Sequence, residues 1–284
     1  MTLYENNRTR EDLRRRVIEA FSLQDEVYRI CFFGREVEGK HDRYSDIDMV
    51  VFSNDLASIY AKYKSIFSSI SPVRATFPLG GTPEGYSEMV LLQDCSPYQK
   101  VDFSIGDWGK QGWQFIAVYD CKDKTRNSLT KLEPKSIIRD VSYILTDVLF
   151  SVARFTKCLF RRDIDMYRRW MSITDVTLAL LYEKHFGWKY EMEQTKLGSY
   201  GIEHLYNDLS TDEKEHVNSI RSPDGKLEIA SSYQVSIELL IELSKQKAEH
   251  FGIVLDNDLI EYIRRFMIVE IASYREQSCP PIGG

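Results

Sequence analysis

Cysteine is scarce and unpatterned in this chain. The five residues (Cys31, Cys95, Cys121, Cys158 and Cys279) are odd in number, scattered and never spaced CxxC. That indicates neither a disulfide framework nor a tetrahedral zinc site, and reduced thiols in a cytoplasmic protein are the expectation. Histidine is equally sparse, with five residues of which only His41 lies in a loop of interest, so a histidine metal cluster is not expected. No run of about 18 uncharged apolar residues occurs, and the N-terminal MTLYENNRTREDLRRRVIEAF lacks an apolar core; neither a membrane span nor export through an ordinary signal peptide is expected. Positive charge is in deficit, the formal net charge being −6, so there is no global field of the kind that neutralises a long phosphate backbone. A small substrate fits this balance better than DNA or RNA, and a cationic one fits it well. The glycine-rich stretch 78–86, PLGGTPEGY, lacks the GK[ST] ending of a Walker loop, and is read as a turn or loop between strands rather than a phosphate cradle. Internal repeats and low-complexity segments are missing as well.

What is present is an ordinary folded composition, 43% apolar and 12% aromatic over 284 residues, enough for two domains with buried cores. Residues 9–23 place Leu13, Val17, Ala20 and Phe21 on one helical stripe, with the charges mostly off it. Val27 to Phe33 reads as a strand ended by Gly34, Arg35 to Ser45 as a polar loop, and Asp46 to Phe52 as a returning strand. Ser53, Asn54 and Asp55 offer an N-cap for a helix from Leu56 to about Phe67. Further strands are expected near Val73–Phe77, Glu88–Gln93, Lys100–Ile105 and Ala117–Cys121, with a break over Gly106–Gly112. From about Pro134 the texture changes to long 3.6-period patterns, roughly 135–160, 163–186, 211–220, 231–250 and 256–275. The fold class read from this order is α+β: a small mixed-sheet domain over 1–133 followed by a helical bundle over 134–284.

The stretch Phe32 to Phe52 carries the chemistry. Asp46 and Asp48 lie two apart at the start of a β-branched run, so on a strand their carboxylates leave one face about 7 Å apart. Ile47 and Met49 turn to the opposite face, into a core. In KVDFSI, Val101, Phe103 and Ile105 share one face and Asp102 the other, which makes Asp102 the natural third carboxylate. Hard oxygen donors of this kind suit Mg2+ and substrate phosphates, and two such ions about 4 Å apart clamp an in-line displacement. A glycine ahead of the loop lets backbone amides approach phosphate. Asp46 and Asp48 are then metal ligands, and Asp102 is either a third ligand or the base that takes the acceptor proton. Glu88 is read first as a salt-bridge partner at a strand start. Trp108, Trp113, Trp170 and Trp188 are read as packing.

Charge is uneven in the helical half. Between Arg154 and Arg169 six basic residues, including Arg161 and Arg162, face Asp163 and Asp165, whereas residues 183–284 hold eighteen Asp and Glu against eleven Lys and Arg. A basic corner suits a triphosphate and an acidic surface a cationic acceptor, although solvated helix faces give the same counts.

GREVEGKHDRYSDIDMVV resembles the nucleotidyltransferase pattern of the polymerase-beta superfamily: a Gly-Ser or Gly-Gly pair, a loop of about ten residues, then Asp, an apolar residue, and Asp or Glu. Within it the chain is similar to bacterial antibiotic nucleotidyltransferases of the lincosamide and aminoglycoside type. KVDFSI stands where their third carboxylate does, VYDCKDK resembles the end of their catalytic domain, and LFRRDIDMYRRWMSITDVTLALLYEKHFG and HFGIVLDNDLIEYIRRFM resemble their helical domain. The resemblance implies Mg2+ and a nucleoside triphosphate, most simply ATP, as cofactor and donor. Triphosphate contacts are expected from Gly34, Arg35 and Arg162, and the resemblance implies a small hydroxyl-bearing acceptor such as an aminoglycoside or lincosamide. No nucleic-acid polymer and no membrane are implied as partners, and monomer and homodimer both stay open. The residue after the glycine is usually Ser in this family and is Arg35 here. A guanidinium in that place either binds phosphate or reshapes the loop and weakens catalysis. The readings alternative to antibiotic modification are nucleotidylation of a protein and a nucleotide-binding protein without turnover.

Overall fold

The computed structural model describes residues 9–106, 114–121, 131–133, 136–191, 205–221 and 226–278. They fall into two compact units, Met1–Ile137 and Ile138–Gly284. Trp108, Trp113, the break after Gly106, Lys122 to Lys124 of VYDCKDK, and Cys279 lie outside the described residues.

The first unit is a mixed sheet with helices on one face. In chain order it runs α1 (Arg10–Ser22), β1 (Val27–Phe32), α2 (Arg35–Glu38), β2 (Ile47–Ser53), α3 (Leu56–Ile70), β3 (Val73–Thr82), β4 (Gly85–Leu92), β5 (Val101–Gly106) and β6 (Ile116–Asp120). The strand order is β3-β4-β5-β2-β1-β6. β2 and β5 pair in parallel, and the other described ladders are antiparallel.

Two-residue alternation decides what each face of the sheet carries. Ile47, Met49 and Val51 of β2 and Val101, Phe103 and Ile105 of β5 are almost wholly buried. They meet the apolar stripes of α1 (Leu13, Val17, Phe21) and α3 (Ile59, Tyr63, Phe67). The Phe103 ring sits 5.2 Å from Phe21 and 5.3 Å from both Tyr63 and Phe67. The opposite face begins with Asp48 and Asp102. It continues into an apolar patch where Tyr28, Cys31, Val50 and Phe52 pack against Phe33 and Phe115.

Local signals set the helix starts. Thr9 caps α1 by accepting from the Asp12 amide, and Glu11 and Asp12 complement the dipole of its first turn. Asp55 caps α3, which runs three residues further than the sequence pattern suggests.

Two expectations are corrected. The polar loop 35–45 contains a helical turn, α2, closed by Gly39. The stretch 78–86 is not a loop: β3 and β4 pair through Thr82↔Gly85, with a bulge between Pro78 and Gly80, so only Pro83 and Glu84 turn. Glycine is needed here because strands approach closely. Gly85 lies opposite Gly106, and a Cβ on Gly106 would collide with the Glu84 carbonyl.

The second unit is helical: α4 (Val141–Arg161), α5 (Asp165–Phe186), α6 (Thr211–Arg221), α7 (Lys226–Phe251) and α8 (Asn257–Ser278). Asp140 caps α4, and Ser210 and Glu213 form a reciprocal capping box at α6. α7 packs against α4, α5, α6 and α8. Its Tyr233 stacks flat on Phe155 with centroids 3.7 Å apart, and Lys247 forms a buried ion pair with Glu183 of α5 at 2.8 Å. Trp170 donates its indole N–H to Ser232 at 2.9 Å. No described helix is long and apolar enough to cross a membrane.

Candidate active site

The parallel pairing of β2 and β5 is what assembles the carboxylates. Its register sets Asp48 opposite Asp102, and Ile47 opposite Val101. Register partners on neighbouring strands point to one face about 4.8 Å apart, so residues 54 apart in sequence become neighbours. Asp46 lies just ahead of β2, where the Ile47 amide already donates to the Lys100 carbonyl at 3.0 Å.

Lys100 ties this group together. Its ammonium lies 2.9 Å from Asp46 Oδ2 and pairs with Asp102 Oδ1, and its side chain is only 4% exposed. Burial pulls the Lys100 pKa down, but the charges and hydrogen bonds of Asp102 and Asp46 outweigh it and the net shift is upward. Two of the three carboxylates, Asp46 and Asp102, thus share one buried cation.

The turn before the loop is shaped to the same point. Gly34 takes φ 63° and ψ −137°, and a Cβ there would run into the Asp48 carboxylate. The Phe33 amide donates to the Asp48 carbonyl at 3.1 Å. Beside this turn a cavity of about 360 Å³ opens, lined by Phe33, Gly34, Val37, Glu38 and Gln114.

The segment leading into Asp46 is built rather than slack. Asp42 accepts from the Tyr44 amide and the Ser45 hydroxyl, and Ser45 Oγ accepts from the Asp42 amide, the local bonding of an Asx turn. The Tyr44 ring packs edge-on against Tyr98, just ahead of β5, at 5.1 Å. From α1, the buried Arg10 donates to the carbonyls of Ser45 at 3.2 Å and Asp46 at 3.1 Å, and pairs with Glu36 of α2.

The other sequence-predicted residues fall elsewhere. Arg35 opens α2, half-exposed, with its guanidinium 4.0 Å from Asp42. Arg162 belongs to the second unit, where it closes α4 at φ 54°. Glu88 turns to the helix face of the sheet, where Tyr63 donates to it and Lys64 lies 3.8 Å away. Sequence reasoning missed Lys100 and Arg10. Lys100 carried a usable signal, since two-residue spacing puts it on the face of Asp102; Arg10 is one arginine among several and carried none.

Oxygen donors on one face suit a hard divalent ion, and Asp48 and Asp102 are in register to share one. Lys100 already engages both Asp46 and Asp102, and among the described residues no group of three His, Cys, Asp or Glu side chains converges closely enough to hold an ion.

No family model and no curated protein matches the chain. Among solved structures it is similar to an aminoglycoside 6-adenyltransferase from Bacillus subtilis, at 18% identity over 93% of this chain and 98% of that one, with a TM-score of 0.35. It is also similar to a STING-associated CdnE c-di-GMP synthase from Capnocytophaga granulosa, at 14% identity over 95% and 81% of the two chains, with a TM-score of 0.26. Both likenesses run along nearly the whole chain and superpose weakly, so they assign no activity.

Proposed function

We propose that this chain is a Mg2+-dependent nucleotidyltransferase that moves a nucleoside monophosphate, AMP from ATP in the simplest case, onto a hydroxyl of a small acceptor and releases pyrophosphate. The observation that carries the reading is the β2–β5 register, which brings Asp48 and Asp102 side by side next to Gly34. A bound Mg2+ would supply charge neutralisation of the phosphates undergoing displacement. Asp48 and Asp102 would hold it, with Asp46 beside them. Asp102 has two compatible roles, ligand and acceptor base, and its contact with Lys100 suits either. Gly34 and Arg35 are the proposed triphosphate contacts. The cavity at Phe33 and Gly34 gives a non-reacting part of a substrate a place beside the carboxylates. For the acceptor, the acidic surplus of residues 183–284 favours a polycationic aminoglycoside over a lincosamide.

The test is a pyrophosphate-release screen with Mg2+, each nucleoside triphosphate, and a panel of aminoglycosides and lincosamides. A hit names donor and acceptor together, and Asp48→Asn is expected to abolish it. Unchanged release by Asp48→Asn with a working acceptor removes the assignment. A second reading has its own observation: Arg35 leans toward Asp42 of its own loop where the resembled family has serine. On that reading the chain binds nucleotide without turnover, and calorimetry showing Mg–ATP binding with no release across the panel selects it.

A further inference from the structure

We propose that the Lys100 ammonium is a resident cation of the carboxylate cluster, so that the site takes one divalent ion where an arrangement of carboxylates alone takes two. The inference rests on the nucleotidyl-transfer reading above and says which cations that site accepts.

Two-metal sites hold their ions about 4 Å apart by sharing carboxylates between them. Here the shared position is filled by the protein itself. Lys100 Nζ bridges Asp46, just ahead of β2, and Asp102 of β5. The lysine does not hang in from a distant loop. It stands two residues before Asp102 on the same face, and its carbonyl accepts from the Ile47 amide between Asp46 and Asp48, so the backbone that fixes the aspartates also fixes it.

Burial makes the arrangement selective. A side chain 4% exposed has no route to solvent without repacking, and leaving would strand a charge away from both partners. A divalent ion seated between Asp46 and Asp102 would instead lie against a buried ammonium, where repulsion is weakly screened. An ion held by Asp48 and Asp102 would share only one of the two bridged carboxylates with the ammonium. Lys100 is in this sense a positioning residue: it neutralises part of the cluster and holds Asp46 and Asp102 at a set spacing.

The test counts bound Mn2+ per chain from the free-ion electron paramagnetic resonance signal, with a non-hydrolysable ATP analogue equimolar to protein. The native chain is expected to bind one ion, Lys100→Arg one, and Lys100→Met two. Two ions on the native chain overturn the proposal and leave nucleotidyl transfer standing. No ion on the native chain, with no pyrophosphate release, removes both. Should Lys100→Met fail to fold, the counts for the native chain and for Lys100→Arg decide.

Discussion

At Gly34 the backbone takes a conformation that L side chains rarely adopt, and its missing Cβ leaves the space that the Asp48 carboxylate needs. Gly34→Ala therefore carries two separate costs. The backbone strain alone is about 1–3 kcal/mol, read as a lowered urea midpoint. The displaced carboxylate is expected to cut pyrophosphate release by about a hundredfold, since a shift of about 1 Å at a reacting centre has that effect. A variant that loses stability but keeps full release would show that Asp48 tolerates being moved. The glycine and the aspartates could be named from spacing alone, because a strand, a turn and an alternating apolar face leave a two-residue signature. Lys100 could not be assigned its role that way. Its ion pairs depend on which strand lies beside β2, and the sequence does not state strand order.

Between elements, the contact with most leverage on the site is Arg10, which joins α1 to α2 and to the carbonyls just ahead of β2. Arg10→Met leaves Glu36 buried without its partner, and breaking such a pair costs about 3–5 kcal/mol. Chemical denaturation is expected to show that loss. Arg10→Lys should recover only part, since an ammonium cannot span the Ser45 and Asp46 carbonyls together with Glu11 and Glu36 as a guanidinium does. In the helical unit the buried Lys247–Glu183 pair between α7 and α5 behaves alike. Lys247→Met is expected to destabilise by about 3–5 kcal/mol, and Lys247→Met with Glu183→Leu to return most of it; equal losses in the two variants would show that packing, not charge, sets the cost. The helices themselves were legible in outline from their 3.6-residue pattern. The hairpin at residues 78–86 was legible as a turn between two strands, but the extension of those strands through it was not, because glycine and proline signal turns locally while the β3–β4 pairing continues to Thr82 and Gly85.

At the scale of the whole molecule, each unit carries a carboxylate held well below its ordinary range. Glu26 is lowered from 4.5 to about 2, first by its hydrogen bond from Lys62 and then by Ser58. Glu213 also lies near 2: burial opposes its ionisation, but bonds from Lys184, the Ser210 amide and hydroxyl, and His185 outweigh it. For a group whose folded pKa is depressed, the unfolded chain binds more protons between the two values, so stability is complete above 4.5 and falls as pH drops toward 2. Urea midpoints measured across that window are expected to decline. Glu26→Gln and Glu213→Gln should each flatten the decline, and an unchanged slope in both would place the acid response on other groups.

Some properties of this protein were determined by the sequence by itself. They are an α+β chain with a sheet-forming first half and a helical second half, a Gly-led loop before two aspartates, and a third aspartate on an alternating strand. All are local, since alternation, helical period and turn residues act within a few positions and survive being read one segment at a time. Tertiary structure decided the rest. It chose the parallel β2–β5 register that sets Asp48 beside Asp102, the burial of Lys100 between Asp46 and Asp102, and the reach of Arg10 across to the loop. Apart from Lys100 with Asp102, two residues away, those contacts join residues 35 to 54 positions apart, and only the packing of the two sheet faces, one apolar against helices and one polar at its end, brings them together.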